Sequence, residues 1–74
     1  MNVEVKLFAT FRKDRFKKKN IEFNENATVE DVLDFLGIKK EDVALIILNG
    51  MHSKVDKELK EGDVLALFPP VAGG

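Results

Sequence analysis

Residues 28–37 read Thr-Val-Glu-Asp-Val-Leu-Asp-Phe-Leu-Gly, and they decide the fold because they are the clearest helix signal in the chain. Thr28 is a good N-cap, and Asp31 three residues later approximates a capping box. Gly37 supplies the left-handed residue that ends a helix. The apolar side chains follow the i, i+3, i+4, i+7 spacing of a single face, namely Val29, Val32, Leu33 and Leu36. The stretch predicts one amphipathic helix that packs across a sheet.

Two strands are predicted before this helix. Over residues 2–10, apolar and polar residues alternate, which predicts a half-buried strand whose core side holds Val3, Val5, Leu7 and Ala9. Around Ile21 and Phe23 a shorter alternation predicts a second strand. A loop joins the two, so we expect an antiparallel hairpin.

Three more strands are predicted after the helix. The apolar run 43–48 is too short for a helix and rich in β-branched residues, which favours a central strand. Asn49-Gly50 is a strong hairpin signal, because both positions of a type I′ turn need positive φ. A short strand at 51–52 follows, then Leu59 as a core anchor, and a last strand at 64–68 that Pro69 ends.

This order of elements predicts an α+β protein of the β-grasp type. We expect a mixed sheet of four to five strands with one main helix packed across it, and strands 1 and 5 parallel at the centre. The chain length allows one domain, which we expect to span residues 1–68, and we expect residues 69–74 to form a flexible C-terminal tail.

Composition excludes several classes of site. The chain has no cysteine and one histidine, His52, so disulfides, cysteine nucleophiles and multi-histidine metal sites are excluded, and no metal is expected. No apolar run reaches the length of a membrane span, and the N-terminus lacks a secretory signal. We expect a cytoplasmic protein with no membrane partner.

The charge is uneven along the chain. Residues 1–20 hold seven Lys or Arg and two acidic residues, a net charge of +5, whereas residues 21–74 carry −6. Much of the positive charge lies in Arg12–Lys19, which is either a patch for nucleic acid or a solvated loop between strands. Few aromatic residues interleave with it, so we favour the loop and expect no nucleic-acid partner.

The C-terminal tail has the features expected of a segment that delivers a reactive group to another protein. Pro69 and Pro70 stiffen the exit from the last strand. The side chains then shrink through Val71 and Ala72 to Gly73-Gly74, a backbone slender enough to thread into a narrow channel. The only reactive group at the tip is the α-carboxylate of Gly74. A frayed terminus is the alternative, and the combination of features favours the functional interpretation.

A carboxylate becomes an acyl donor only after activation, for example by adenylation with ATP and Mg²⁺. The chain has no phosphate-binding loop, so we expect another protein to perform that step and no cofactor to be bound here. Since cysteine is absent, any sulfur carried by the protein must sit on the terminus, as a thiocarboxylate.

Several motifs resemble those of a known family. Residues 61–67, Glu-Gly-Asp-Val-Leu-Ala-Leu, and the tail 68–74 look like the small subunit of molybdopterin synthase. Residues 7–12 are similar to that family's first strand and turn, residues 28–33 to its helix entry, and residues 48–50 to its third-strand turn. The wider group contains thiazole-synthesis sulfur carriers and archaeal modifiers, all ubiquitin-like β-grasp proteins that end in Gly-Gly.

The resemblance implies a sulfur carrier that acts as the non-catalytic small subunit of a sulfurtransferase. An E1-like adenylating enzyme would activate Gly74, and a sulfur donor would convert it to a thiocarboxylate. The large subunit of molybdopterin synthase would then take the sulfur into the pterin precursor. The resemblance also leaves open a carrier for thiamine thiazole synthesis and a protein modifier conjugated through Gly74.

Alternation also predicts where partners dock. Phe8, Ile47 and Phe68 fall on the side of their strands that faces away from the core. Three apolar residues on adjacent strands beside the tail are typical of an interface, although single apolar surface residues are common. We therefore predict that they form the partner-binding face.

Overall fold

The helix forms as the sequence predicts. In this computed structural model, which describes residues 1–70, α1 spans Val29–Leu36. The Thr28 hydroxyl accepts a hydrogen bond from the Asp31 amide (3.4 Å), and the Thr28 amide donates to the Asp31 carboxylate (2.8 Å). This reciprocal pair is a capping box, and Gly37 ends the helix with φ of 73°.

Five strands form one mixed sheet. The strands are β1 (Asn2–Leu7), β2 (Lys18–Glu22), β3 (Leu45–Leu48), β4 (Met51–His52) and β5 (Val64–Phe68). Their order across the sheet is β2-β1-β5-β3-β4, and β1 pairs with β5 in parallel while the other pairs are antiparallel. Short 3-10 turns lie at Ala9–Arg12 and Lys40–Asp42. The predicted β-grasp fold is confirmed.

The core lies between α1 and one face of this sheet. The alternation predicted for β1 and β5 is observed, since both strands turn every second residue fully inward. Leu59 is also buried, as predicted, and anchors the irregular segment before β5. The fully buried side chains are Val3, Val5, Leu7, Val29, Val32, Leu33, Leu65 and Leu67.

The first strand is shorter than predicted, and Ala9 is not a core residue. The last bond of the β1–β2 hairpin joins the Leu7 amide to the Lys17 carbonyl (2.9 Å). Beyond it the chain enters a 3-10 turn with Ala9 at φ of 52°, which leaves Ala9 exposed. Phe11 is buried instead, with 7% of its surface exposed. A left-handed alanine is uncommon, so the alternating pattern gives no indication of this turn.

Two other strands start elsewhere than predicted. β2 begins at Lys18, so the last two residues of the basic segment are strand residues and not loop residues. Phe23 lies just beyond β2, where its ring packs edge-to-face against Phe35 with centroids 5.5 Å apart. β3 begins at Leu45 and not at Val43, because Val43 still closes the 3-10 turn Lys40–Asp42, with its amide donating to the Lys40 carbonyl.

The β3–β4 hairpin is joined to the start of β5 by one side chain. Asn49 and Gly50 both have positive φ, as the predicted type I′ turn requires (52° and 83°). The Asn49 side-chain oxygen accepts a hydrogen bond from the Val64 amide, and its NH₂ group donates to the Asp63 carboxylate, both at 2.9 Å. Asp63 also accepts from the Lys60 amide (2.8 Å). Asn49 therefore stabilises both the turn and the first residue of β5.

Asn49→Ala should lower the free energy of unfolding by about 1–2 kcal/mol, because it removes two hydrogen bonds and places alanine at a positive φ. Chemical denaturation measures the change. Asn20→Ala on β2 is the matched control, since the Asn20 side chain makes no hydrogen bond to any of residues 1–70. Equal losses of unfolding free energy in the two variants would contradict the stabilising role of the Asn49 hydrogen bonds.

Candidate functional site

The candidate site lies on the face of the sheet that α1 does not cover. Strand alternation turns one residue in two toward this face, and β5 and β3 contribute mostly apolar side chains there. All of them are half-buried, which leaves part of each surface open to a partner. We call this set the sheet-face patch; it consists of Phe8, Leu45, Ile47, Val64, Ala66 and Phe68.

Two of the predicted interface residues are in direct contact. The rings of Phe8 and Phe68 stack with centroids 4.2 Å apart and an interplanar angle of 11°. Phe8 lies one residue beyond β1 in an extended conformation, so it continues the alternation of that strand. Phe68 is the last residue of β5. The stack therefore joins the ends of the two parallel strands.

Ile47 lies on the same face, one diagonal step from this stack. It pairs with Ala66 across the β3–β5 ladder, and Phe68 pairs with Leu45 two residues along β3. Diagonal neighbours of this kind lie within reach of aromatic side chains. The structure thus places Phe8, Ile47 and Phe68 in one patch, and their role in partner binding stays a prediction.

The chain leaves the sheet directly beside the stack. The Phe68 carbonyl accepts a hydrogen bond from the Ala44 amide (2.9 Å), and Pro69 and Pro70 then carry no N–H that could extend the ladder. Pro69 is half-buried and Pro70 is exposed. The remaining predicted tail residues, Val71, Ala72, Gly73 and Gly74, lie outside the described residues.

The rest of the described surface offers few reactive groups. Within residues 1–70, no three His, Cys, Asp or Glu side chains are arranged to hold a metal ion. A shallow groove runs beside β4, lined in part by Met51, His52 and Lys57, at the sheet edge remote from Phe8. In the same part of the chain, no helix combines the length and the apolar character needed to cross a bilayer.

Two features of the surface are not predicted from the sequence. The sequence predicts a solvated loop for Arg12, but its guanidinium lies over the Phe8 ring, with Cζ 5.1 Å from the centroid. Its Nε donates a 2.7 Å hydrogen bond to the Leu7 carbonyl. No sequence signal indicates this position, because it depends on the left-handed turn at Ala9. The second feature is Phe35 on α1, which is 64% exposed.

Comparison with known proteins matches residues 5–74, which include the tail, to the ThiS family. The chain belongs to the ThiS family. It is therefore a ubiquitin-like β-grasp protein of the group that contains sulfur carriers and protein modifiers, as solved structures of related proteins also indicate.

Three solved structures illustrate the similarity of this ThiS-family chain to its relatives. SAMP1 from Haloferax volcanii shares 28% identity and a TM-score of 0.81, with 100% of both chains covered. A candidate molybdopterin converting factor subunit 1 from Pyrococcus furiosus shares 34% identity and a TM-score of 0.79, covering 96% of this chain and 99% of the other. The third comes from a complex of subunits 1 and 2 of the Helicobacter pylori molybdopterin-converting factor, with 28% identity, a TM-score of 0.67 and 100% of both chains covered.

The Phe8–Phe68 stack should be measurable as an energetic coupling. A double-mutant cycle with Phe8→Ala and Phe68→Ala should give a coupling free energy of about 0.5–1.5 kcal/mol, the range typical of aromatic pairs. Urea denaturation of the four proteins measures it. A control cycle with Phe8→Ala and Phe35→Ala, on opposite sides of the sheet, should give a value near zero. Equal couplings in the two cycles would contradict direct contact.

Proposed function

We propose that this ThiS-family protein is a sulfur carrier for molybdopterin biosynthesis, and that the sulfur is held as a thiocarboxylate on Gly74. The observation that carries the proposal is the family match, which extends through residue 74 and so includes the Gly-Gly tip. The 34% identity to the Pyrococcus furiosus protein supports the molybdopterin branch in particular.

The chemistry is an acyl transfer in two steps. A carboxylate oxygen of Gly74 attacks the α-phosphorus of ATP, Mg²⁺ neutralises the phosphates, and pyrophosphate leaves, which forms an acyl-adenylate. A sulfur nucleophile at the oxidation level of sulfide then attacks the carbonyl carbon, and AMP leaves with the bonding electrons of the C–O bond. The product is a thiocarboxylate, whose sulfur is a far better nucleophile than a carboxylate oxygen.

The partners must supply the catalytic groups for this chemistry. The proposal assigns activation to an E1-like adenylating enzyme, the sulfur atom to a separate donor, and its consumption to the large subunit of molybdopterin synthase. The Helicobacter pylori protein, which is similar over its whole length, was solved as a complex of subunits 1 and 2. The present chain would be the non-catalytic subunit in such a complex.

The sheet-face patch supplies the docking surface in this proposal. Its aromatic stack lies beside Pro69 and Pro70, where the tail begins, so a partner that covers the patch also meets the start of the tail. Apolar residues that remain half-exposed in the free protein become desolvated on binding, which is the usual source of affinity at the centre of an interface.

Intact-mass measurement of the protein from its native cells tests the proposal. The carrier should show a species heavier by the replacement of one oxygen atom with sulfur. A chain with one alanine added after Gly74 should lose that species completely, because the added residue moves the carboxylate and gives it a β-carbon. Glu25→Ala, on the exposed loop before α1, is the matched control and should retain it. A modified mass that survives the extension would exclude Gly74 as the sulfur site.

A second prediction concerns the patch. Phe68→Ala should weaken binding to the large subunit by about 10- to 100-fold, since a central aromatic residue commonly contributes that much to an interface. Titration calorimetry with the large subunit from the same organism measures the change. Phe35→Ala, which removes an exposed ring on the helix side, is the control and should bind as the unmodified protein does. Equal affinities for all three proteins would remove the patch from the interface.

The second candidate function is that of a protein modifier. SAMP1 is a small archaeal modifier protein by name, and the identity to the Haloferax volcanii protein is 28% over both whole chains. Conjugation would use the same acyl-adenylate but a lysine amine as the nucleophile. The intact-mass experiment separates the two functions, because a modifier gives higher-mass adducts in which Gly74 is joined to a target lysine. A carrier for thiazole synthesis would show the same thiocarboxylate and differ in the enzyme that consumes it.

A further inference from the structure

Three basic side chains border the sheet-face patch at the end where the chain leaves β5. Lys6 lies opposite Lys18 in the β1–β2 ladder and beside Ala66 in the β1–β5 ladder, so both lysines share the face of the patch. The guanidinium of Arg12 lies over Phe8 at the same end. We call Lys6, Arg12 and Lys18 the basic rim.

Arg12 is held in place more firmly than an ordinary surface arginine. Its Nε donates to the Leu7 carbonyl at 2.7 Å, and its Cζ lies over the Phe8 ring, 5.1 Å from the centroid. These two contacts leave both terminal NH₂ groups of the fork without a hydrogen-bond partner among residues 1–70. A guanidinium fixed in this way loses little conformational entropy when it binds a planar anion.

The rim is only partly neutralised by the protein's own acidic groups. Within residues 1–70, Lys6 pairs with Glu4 at 3.8 Å, whereas Arg12 and Lys18 form no ion pair. Like charges directly opposite in a ladder, such as Lys6 and Lys18, disfavour the sheet. The positive charge is thus concentrated at the tail end of the face, although the chain as a whole has a net charge of −1.

We propose that Arg12 anchors the sheet-face patch to a carboxylate of the E1-like adenylating enzyme. This inference rests on the proposed function, because it concerns the surface of the activating enzyme. That surface presents an apolar centre to Phe8 and Phe68 and an acidic side to the basic rim. Arg12 forms a bidentate pair with one of its carboxylates, and Lys6 and Lys18 add longer-range attraction that speeds association.

A protein surface fits these observations better than a nucleic acid. The rim borders a patch of aliphatic and aromatic side chains, and the two rings are stacked on each other instead of being open to bases. Binding to nucleic acid depends on many phosphate contacts along an extended groove, whereas the basic rim supplies three basic residues in the described part of the chain. A single fixed guanidinium beside an apolar centre is instead typical of a protein hot spot.

The test compares three variants in binding to the E1-like adenylating enzyme of the same organism. Arg12→Gln should weaken binding by about tenfold and reduce its dependence on salt, since a charged pair is lost. Arg12→Lys should fall between Arg12→Gln and the unmodified protein, because an ammonium keeps the charge but not the fork. Lys13→Gln is the matched control, with the same change in net charge at the neighbouring position, and should bind within about twofold of the unmodified protein.

The outcomes separate this inference from the proposed function. ATP–pyrophosphate exchange that requires Gly74, measured with saturating unmodified protein, reports the adenylation step on which the proposed function depends; its absence would overturn both proposals. If exchange occurs but both Arg12 variants bind as tightly as the unmodified protein, the anchor alone is overturned. Equal weakening by Arg12→Gln and Lys13→Gln would overturn it too, since net charge would then explain the effect. Circular dichroism checks that each variant is folded. If Arg12→Gln does not fold, the affinity of Arg12→Lys tests the anchor instead.

Discussion

The structure depends on β5, which forms hydrogen bonds on both sides. Its parallel pairing with β1 and antiparallel pairing with β3 join the two halves of the chain, and Leu65 and Leu67 fill the space under α1. A strand between two neighbours cannot slip by one residue without exposing its whole buried set. The register of β5 therefore fixes which side chains reach the outer face and where the chain leaves the sheet.

Much of this architecture is readable from the sequence because each pattern has a direct physical cause. The capping box at Thr28, the positive φ of Asn49 and Gly50, and the alternation in β5 are local consequences of residue type, and all are observed. The errors arise where tertiary contacts override the local pattern. Ala9 continues the alternation of β1, but no partner strand remains there, and the chain turns to bury Phe11 instead.

In the candidate site, too, some features follow from local sequence patterns and others depend on tertiary contacts. Phe8, Ile47 and Phe68 could be assigned to one face from alternation alone, because a period of two places residues on faces without any knowledge of their contacts. The ring stacking and the position of Arg12 could not be predicted from the sequence. Both depend on the turn that follows β1, and its geometry requires a left-handed alanine that no residue preference favours. The charge on this face is thus a property of the fold, although the basic residues themselves are visible in the sequence.

Phe68 connects the sheet-face patch to the point at which the chain leaves the sheet. It is the last residue of the central strand, a member of the aromatic stack and the residue that precedes Pro69. A partner that covers the stack therefore restrains the residue from which the tail starts. The rings of Pro69 and Pro70 limit the φ angles of these two residues to a narrow range. Packing of the sheet-face patch and the point at which the chain leaves the sheet are consequently set by the same side chain, so a molecule that contacts the Phe8–Phe68 stack would also lie against Pro69.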